Sequence, residues 1–190
     1  MRLLLFSGGL DSTALAHWLR PDQLLFIDYG QLPAQGELRA ATRIATELGL
    51  PFDTREVNCR PCGSGDMAGL PSLNGEVTEF WPYRNQLLIT LAAMAFADQT
   101  PLTILIGTVR SDSIRPDGNR MFISRMESLL RAQADVRVVA PAIQMTSKTL
   151  QRRAEVPLSI LGWAFSCHGG NLACGQCRGC NKHFQTVPAG

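Results

Sequence analysis

The chain has 190 residues, 45% of them hydrophobic and 18% charged, and a net charge of +2. That length sustains one sizeable folded domain with its own core, and the composition excludes intrinsic disorder. The charge is too small to argue by itself for nucleic acid or a membrane surface. The longest apolar stretch, 87–97, falls far short of a membrane span, and the opening MRLLLF is too short for a secretory core. A cytoplasmic protein with no membrane partner is therefore expected. Six cysteines in a reducing compartment are thiols or metal ligands rather than disulfides.

Residues 2–6 predict a buried strand that stops at Ser7-Gly8-Gly9, and 11–19 a short helix. Such a turn brings backbone amides close to an anion, and the following helix points free N–H groups at it. A tight turn needs glycine anyway, so the turn alone is balanced between an anion site and a plain turn. Residues 23–28 predict a second strand closed by Asp28, an acid that either caps the next helix or faces the same crevice. Residues 34–48 carry helical spacing and stop at Gly49, a good C-cap, and 52–57 alternate as a third strand. The Gly-, Pro- and Ser-rich stretch 58–82 reads as a long loop. It holds Cys59-x-x-Cys62, without the context of a redox motif. An apolar helix is predicted over 84–98. Arg84 at its start, where the dipole disfavours a cation, points to an anion nearby; the competing reading is a surface ion pair with Glu79. A fourth strand at 102–107, a polar loop at 108–119, a helix at 121–133 and a fifth strand at 136–140 follow. From about 147 the pattern becomes a short helix and a Gly/Cys-rich tail. His17 is expected on the surface.

Buried strands alternating with helices predict an α/β fold: a parallel five-stranded sheet with helices on both faces. Ligands then sit beyond the carboxyl ends of the strands, where the polar loops 7–12, 28–31 and 107–113 lie. In the tail, Cys167-x6-Cys174-x2-Cys177-x2-Cys180 has the spacing of a tetrahedral zinc site, and four filled positions make the metal structural. His168 and His183 are bystanders or substitute ligands. Arg152, Arg153, Arg178 and Lys182 against Glu155 make this part mildly basic.

Ser7-Gly8-Gly9-Leu10-Asp11-Ser12 resembles the SGGxDS signature of the PP-loop ATP pyrophosphatases. Ile27-Asp28-Tyr29-Gly30-Gln31, Tyr83-Arg84-Asn85, Val138-Val139-Ala140-Pro141 and Thr146-Ser147-Lys148 follow in order, and the four cysteines close the series. Together, from Leu3 to about Phe184, they are similar to the QueC family of 7-cyano-7-deazaguanine synthases. The resemblance implies a Rossmann-like PP-loop domain over 1–146 and a helical zinc-binding segment over 147–190 packed on it. It implies ATP, Mg²⁺ and Zn²⁺ as cofactors. The carboxylate of 7-carboxy-7-deazaguanine would be adenylated and amidated by ammonia on the way to the nitrile. It further implies Asp11, Arg84 and Lys148 as catalytic residues, with Asp11 linked to magnesium and Arg84 and Lys148 offsetting phosphate charge. Nucleotide contacts would come from Phe6, Ser7, Gly8, Gly9, Leu10, Asp11 and Ser12, joined by Asp28, Tyr29, Gln31, Arg84, Asn85, Gly107, Asp112 and Asp117. The family also implies a homodimer.

At 107–122 the chain keeps Gly107, Asp112, Pro116, Asp117 and Phe122 of the family's GVNAxDYSGYPDCRPEF. It loses the Cys, Arg, Pro and Glu after the Pro-Asp pair and gains Arg110, Arg115 and Arg120. The nucleotide half is thus kept better than the acceptor half. Two alternatives follow: an antiphage-type relative that passes the activated deazaguanine to a protein amine, and a non-catalytic zinc-containing module that binds nucleic acid or protein.

Overall fold

Short aliphatic runs divided by helical stretches fold into one sheet whose strands all point the same way. The computed structural model describes residues 1–72 and 81–187. Its strands are β1 (Arg2–Leu5), β2 (Gln23–Asp28), β3 (Phe52–Glu56), β4 (Leu102–Leu105) and β5 (Val136–Val139), in the order β3-β2-β1-β4-β5. Every neighbouring pair is parallel, with Leu4 of β1 opposite Leu24 of β2 on one side and Leu105 of β4 on the other. The chain builds outward from β1 to β3, then returns to the other side of β1. Beyond the ends of β1 and β4 this reversal opens a crevice.

Successive side chains of β1 face opposite layers. Leu3 and Leu5 pack with Ile89 and Ala92 of α3 (Arg84–Ala95) and with Ile123 and Met126 of α4 (Arg120–Arg131). Leu4 and the following Phe6 pack with Leu15 of α1 (Leu10–Leu19), Ile44 of α2 (Ala34–Leu48) and Leu150 of α5 (Ser147–Ala154). Fully burying each such side chain contributes about 1.5–3 kcal/mol. The expected two-faced α/β sheet is therefore present. α5 packs along α1 and covers its outer side, so α1 is buried on nearly every face from Leu10 to Ala16.

Several boundaries differ from the sequence reading. The third helix ends at Ala95 instead of 98, because the chain must turn, with Gln99 N bonded to Phe96 O, before Pro101 and β4. The loop after β3 contains two 3₁₀ turns, Arg60–Cys62 and Asp66–Ala68, and the loop after β4 a third, Arg110–Ile114. The tail carries two further helices, α6 (Leu158–Leu161) and α7 (Arg178–Thr186). His17 is half-buried rather than on the surface, its Nδ1 2.8 Å from the carbonyl of Ala154 at the end of α5. Among the described residues, no helix is long and apolar enough to cross a membrane.

Candidate active site

The chain leaves β1 through Phe6 and Ser7 and enters α1 at Leu10 with two glycines between. Gly8 has φ +71°, and a Cβ there would lie 2.6 Å from the amide nitrogen of Ala41. The turn is pressed onto α2 so closely that only glycine fits. Ser7 Oγ accepts from Gly9 N at 3.3 Å and Ser12 Oγ donates to Gly9 O at 3.1 Å. Above the turn lies a cavity of about 290 Å³. Phe6, Ser7, Gly9, Leu10, Asp11 and Ser12 line it from the turn, Tyr29 and Gln31 from the end of β2, and Arg84 and Asn85 from the start of α3. Gly107, Asp112 and Asp117 complete it from the segment after β4. Three sequence-predicted residues stand apart. Gly8 faces α2, Asp28 turns its carboxylate to Gly30 N at 2.9 Å, and Lys148 is exposed on the first turn of α5.

The polar side chains form a connected network. Gln31 is buried; its carbonyl accepts from Tyr29 N at 2.8 Å and its amide donates to Glu37 Oε2 at 2.9 Å. Burial raises the Glu37 carboxyl to about 7, an effect that Gln31 and Arg84 offset only in part. Arg84 Nη1 donates to Met67 Sδ at 3.3 Å. Burial works against its charge, but Tyr29, Asp117, Glu37 and Asp112 around it outweigh that and raise its pKa, so a cation stands on the cavity wall. Its alternative partner, Glu79, lies outside the described residues. Burial also raises the Tyr29 phenol, whose ring stands edge-on to Trp81 with centroids 5.0 Å apart. Asn85 donates from Nδ2 to Asp117 O at 2.9 Å and from its backbone to Asp117 Oδ2 at 3.4 Å. This ties the start of α3 to the segment after β4.

Glu37, Met67, Ser111 and Arg115 also line the cavity, and the cysteine-bearing tail adds Phe165, Ser166, His168, Arg178, Gly179 and Lys182. None of these was marked in the sequence as a nucleotide contact. The basic residues of the tail and the arginines gained after β4 were the available signals. Lys182 Nζ stands 2.6 Å from Asp11 Oδ2 across 171 residues of sequence. The other oxygen of Asp11, Oδ1, is buried with no hydrogen-bond partner.

The Sγ atoms of Cys167, Cys174, Cys177 and Cys180 lie within 4.8 Å of one another. Bonds of about 2.3 Å to a central ion require thiolates roughly 3.8 Å apart, so the cluster can hold a metal. Among the described residues it is the one such group of His, Cys, Asp or Glu. Backbone N–H groups of Gln176 and Cys177 pull the Cys174 thiol down to about 6, while burial pushes Cys180 up to about 12. Cys59 and Cys62 sit at the 3₁₀ turn after β3, outside this cluster.

The family model described as "Queuosine biosynthesis protein QueC" matches residues 1–187. The chain is 34% identical to 7-cyano-7-deazaguanine synthase 1 of Desulfitobacterium hafniense, over 97% of this chain and 90% of that protein. It is 29% identical to the 7-cyano-7-deazaguanine synthase of Ruegeria sp., over 94% and 84%. It is 27% identical to that of Pyrococcus abyssi, over 99% and 92%. A solved structure, the NMN synthetase from Francisella tularensis, shares the fold with a TM-score of 0.50 at 15% identity, over 93% of this chain and 69% of that one. A parallel sheet with a glycine turn after its first strand, and a match running from end to end, thus agree: the chain belongs to the QueC family of enzymes.

Proposed function

We propose that the protein is an ATP-dependent carbon–nitrogen ligase that converts 7-carboxy-7-deazaguanine toward 7-cyano-7-deazaguanine. The observation that carries this reading is the cavity that gathers the SGGLDS turn, Arg84-Asn85 and the Gly107–Asp117 segment around one space. The substrate carboxylate attacks the α-phosphorus of ATP and pyrophosphate leaves with the electron pair of the broken P–O bond. Ammonia then displaces AMP from the acyl-adenylate to give the amide. Activation of the amide oxygen by a second ATP and loss of AMP give the nitrile. The chain's own part is to position and to offset charge. Backbone N–H groups at the start of α1, with Ser7 and Ser12, would face the departing pyrophosphate, and Arg84 stands as a cation on the wall of the same cavity. The buried, unpartnered Asp11 Oδ1 suits a cation, and Asp11 would hold Mg²⁺, which supplies neutralisation of the triphosphate when bound. The cysteine cluster would hold Zn²⁺ with no coordination position left for substrate. To test the reading, protein is incubated with MgATP, 7-carboxy-7-deazaguanine and ammonium, and the products are weighed by mass spectrometry. Amide or nitrile with matching AMP is expected; no substrate-dependent AMP would sink it.

A protein amine as acceptor is the second reading. It is favoured by Arg110 and Arg120, both exposed, which flank the cavity-lining Ser111, Asp112 and Arg115 and suit an acidic macromolecule. Transfer of deazaguanine mass to a protein, with ammonia unused, would replace the first reading by this one.

A further inference from the structure

A short ion pair joins the two ends of the chain. Lys182, from α7, lies against Asp11 of the SGGLDS turn. Asp11 is 13% exposed and Lys182 35%, so the ammonium still reaches the cavity mouth. We propose that Lys182 is a phosphate-binding cation of the ATP site, and that the cysteine cluster serves to hold it there. This rests on the reading of the cavity as an ATP site.

The helix that carries Lys182 is built on the cluster. Cys177 is the N-cap of α7, its sulfur accepting from Cys180 N at 3.4 Å, so one of the four thiols caps the helix and a second cysteine lies in its first turn. Lys182 follows Cys180 by two residues. Gly179, in that same turn, has no room for a Cβ, which would overlap the carbonyl oxygen of Ser166 and lie 2.8 Å from His168 Nε2. The helix therefore rests directly on the 166–168 segment. That segment is pinned to the glycine turn, with Phe165 N donating to Gly8 O at 3.0 Å. Asn171, between the first two cysteines, accepts from Gln35 N and Gly36 N at 3.1 Å each, and its carbonyl takes Arg39 at 2.6 Å. The tail is thus clamped to the glycine turn and to the start of α2, and Lys182 is the side chain it delivers to the motif. Lys148, which the sequence suggested for charge neutralisation, is exposed on α5; Lys182 occupies the position that role needs. Without nucleotide, Asp11 holds the ammonium. With ATP bound, the ammonium is shared with β- and γ-phosphate oxygens and offsets the charge that collects on pyrophosphate as the α–β bridging bond breaks.

Titration calorimetry with MgATP and, separately, AMP tests this on wild type, Lys182→Ala and Lys182→Arg, and on wild type and Lys182→Ala each stripped with a chelator. Lys182→Ala should weaken MgATP at least tenfold and AMP less than twofold, because AMP lacks the β- and γ-phosphates. Lys182→Arg should recover most of the loss. Chelation should lower the MgATP affinity of wild type by a similar factor and that of Lys182→Ala hardly at all. Unchanged MgATP affinity in Lys182→Ala overturns the proposal, as does equal loss for AMP. Equal sensitivity of both proteins to chelation overturns the role given to the cluster. Lys182→Met, which keeps the alkyl stem, replaces the alanine variant if that one fails to fold. Failure of wild type to bind MgATP would defeat the ATP-site reading itself, a different outcome from equal binding by wild type and variant.

Discussion

Glu37 sits in the first turn of α2, where the helix dipole would favour its charge, yet burial holds its carboxyl at about 7 against an ordinary 4.5. A raised pKa means that the folded state binds the proton more tightly than the unfolded chain. The stabilisation this supplies is complete below about 4.5 and is lost as pH rises through about 7. Glu37→Gln keeps an acceptor for Gln31 and removes the titration. Its stability, measured by denaturant unfolding, should exceed that of wild type by about 1–3 kcal/mol at pH 8, with the difference vanishing near pH 4. A flat difference between the two pH values would show that the carboxyl is not held up by burial. Gly8 acts through shape alone. Gly8→Ala forces a Cβ against the backbone of α2 at a positive φ and should cost about 2–4 kcal/mol in the same measurement.

Elements meet at the cavity through a few polar ties. Asn85 joins α3 to the segment after β4 through the carbonyl and carboxylate of Asp117, and both residues are buried. Asn85→Ala removes the side-chain bond and leaves Asp117 O without that donor, so urea unfolding should show a loss of about 1–3 kcal/mol. α3 carries the clearest misreading of an element boundary. Its apolar pattern runs on past Ala95, but the turn to Pro101 ends the helix early, a constraint set by where β4 must start. The 3₁₀ turn Arg110–Ile114 was equally hidden. It depends on Asp112 accepting from Val109 N at 3.0 Å, a local side-chain bond that leaves no periodic trace.

At the scale of the molecule, the sheet and the cysteine-bearing tail hold together by different means. The sheet buries aliphatic side chains on both faces, whereas the tail has the small helices α6 and α7, a thiol cluster and the hydrogen bonds of Phe165 and Asn171. A metal held by this cluster would tie α7 down, so its removal should release α7 and leave the sheet folded. With a strong chelator, limited proteolysis should cut first within residues 162–187, while circular dichroism keeps most of its signal. Simultaneous loss of the whole signal would show that the tail is integral to the core.

By itself, the sequence determined the elements whose chemistry is local. Aliphatic runs at Leu3–Leu5 and Leu102–Leu105 can satisfy themselves only as buried strands, Gly8 and Gly49 fall where the backbone turns left-handed, and the cysteine spacing already carries the geometry of a metal cluster. The gathering of the loops at 7–12, 28–31 and 107–113 was also foreshadowed, since parallel strands bring their carboxyl ends to one side, whereas Asn85 and Asp117 entered through the family resemblance alone. Only the tertiary structure decided which cations reach the crevice. Lys148 and Lys182 look alike in the sequence, but the direction in which α5 and α7 pack exposes one and sets the other on Asp11. It also decided that Glu37, an ordinary helix-start acid by pattern, is half-buried with its carboxyl desolvated against Gln31, because desolvation is a property of the neighbours that the fold supplies and not of the residue.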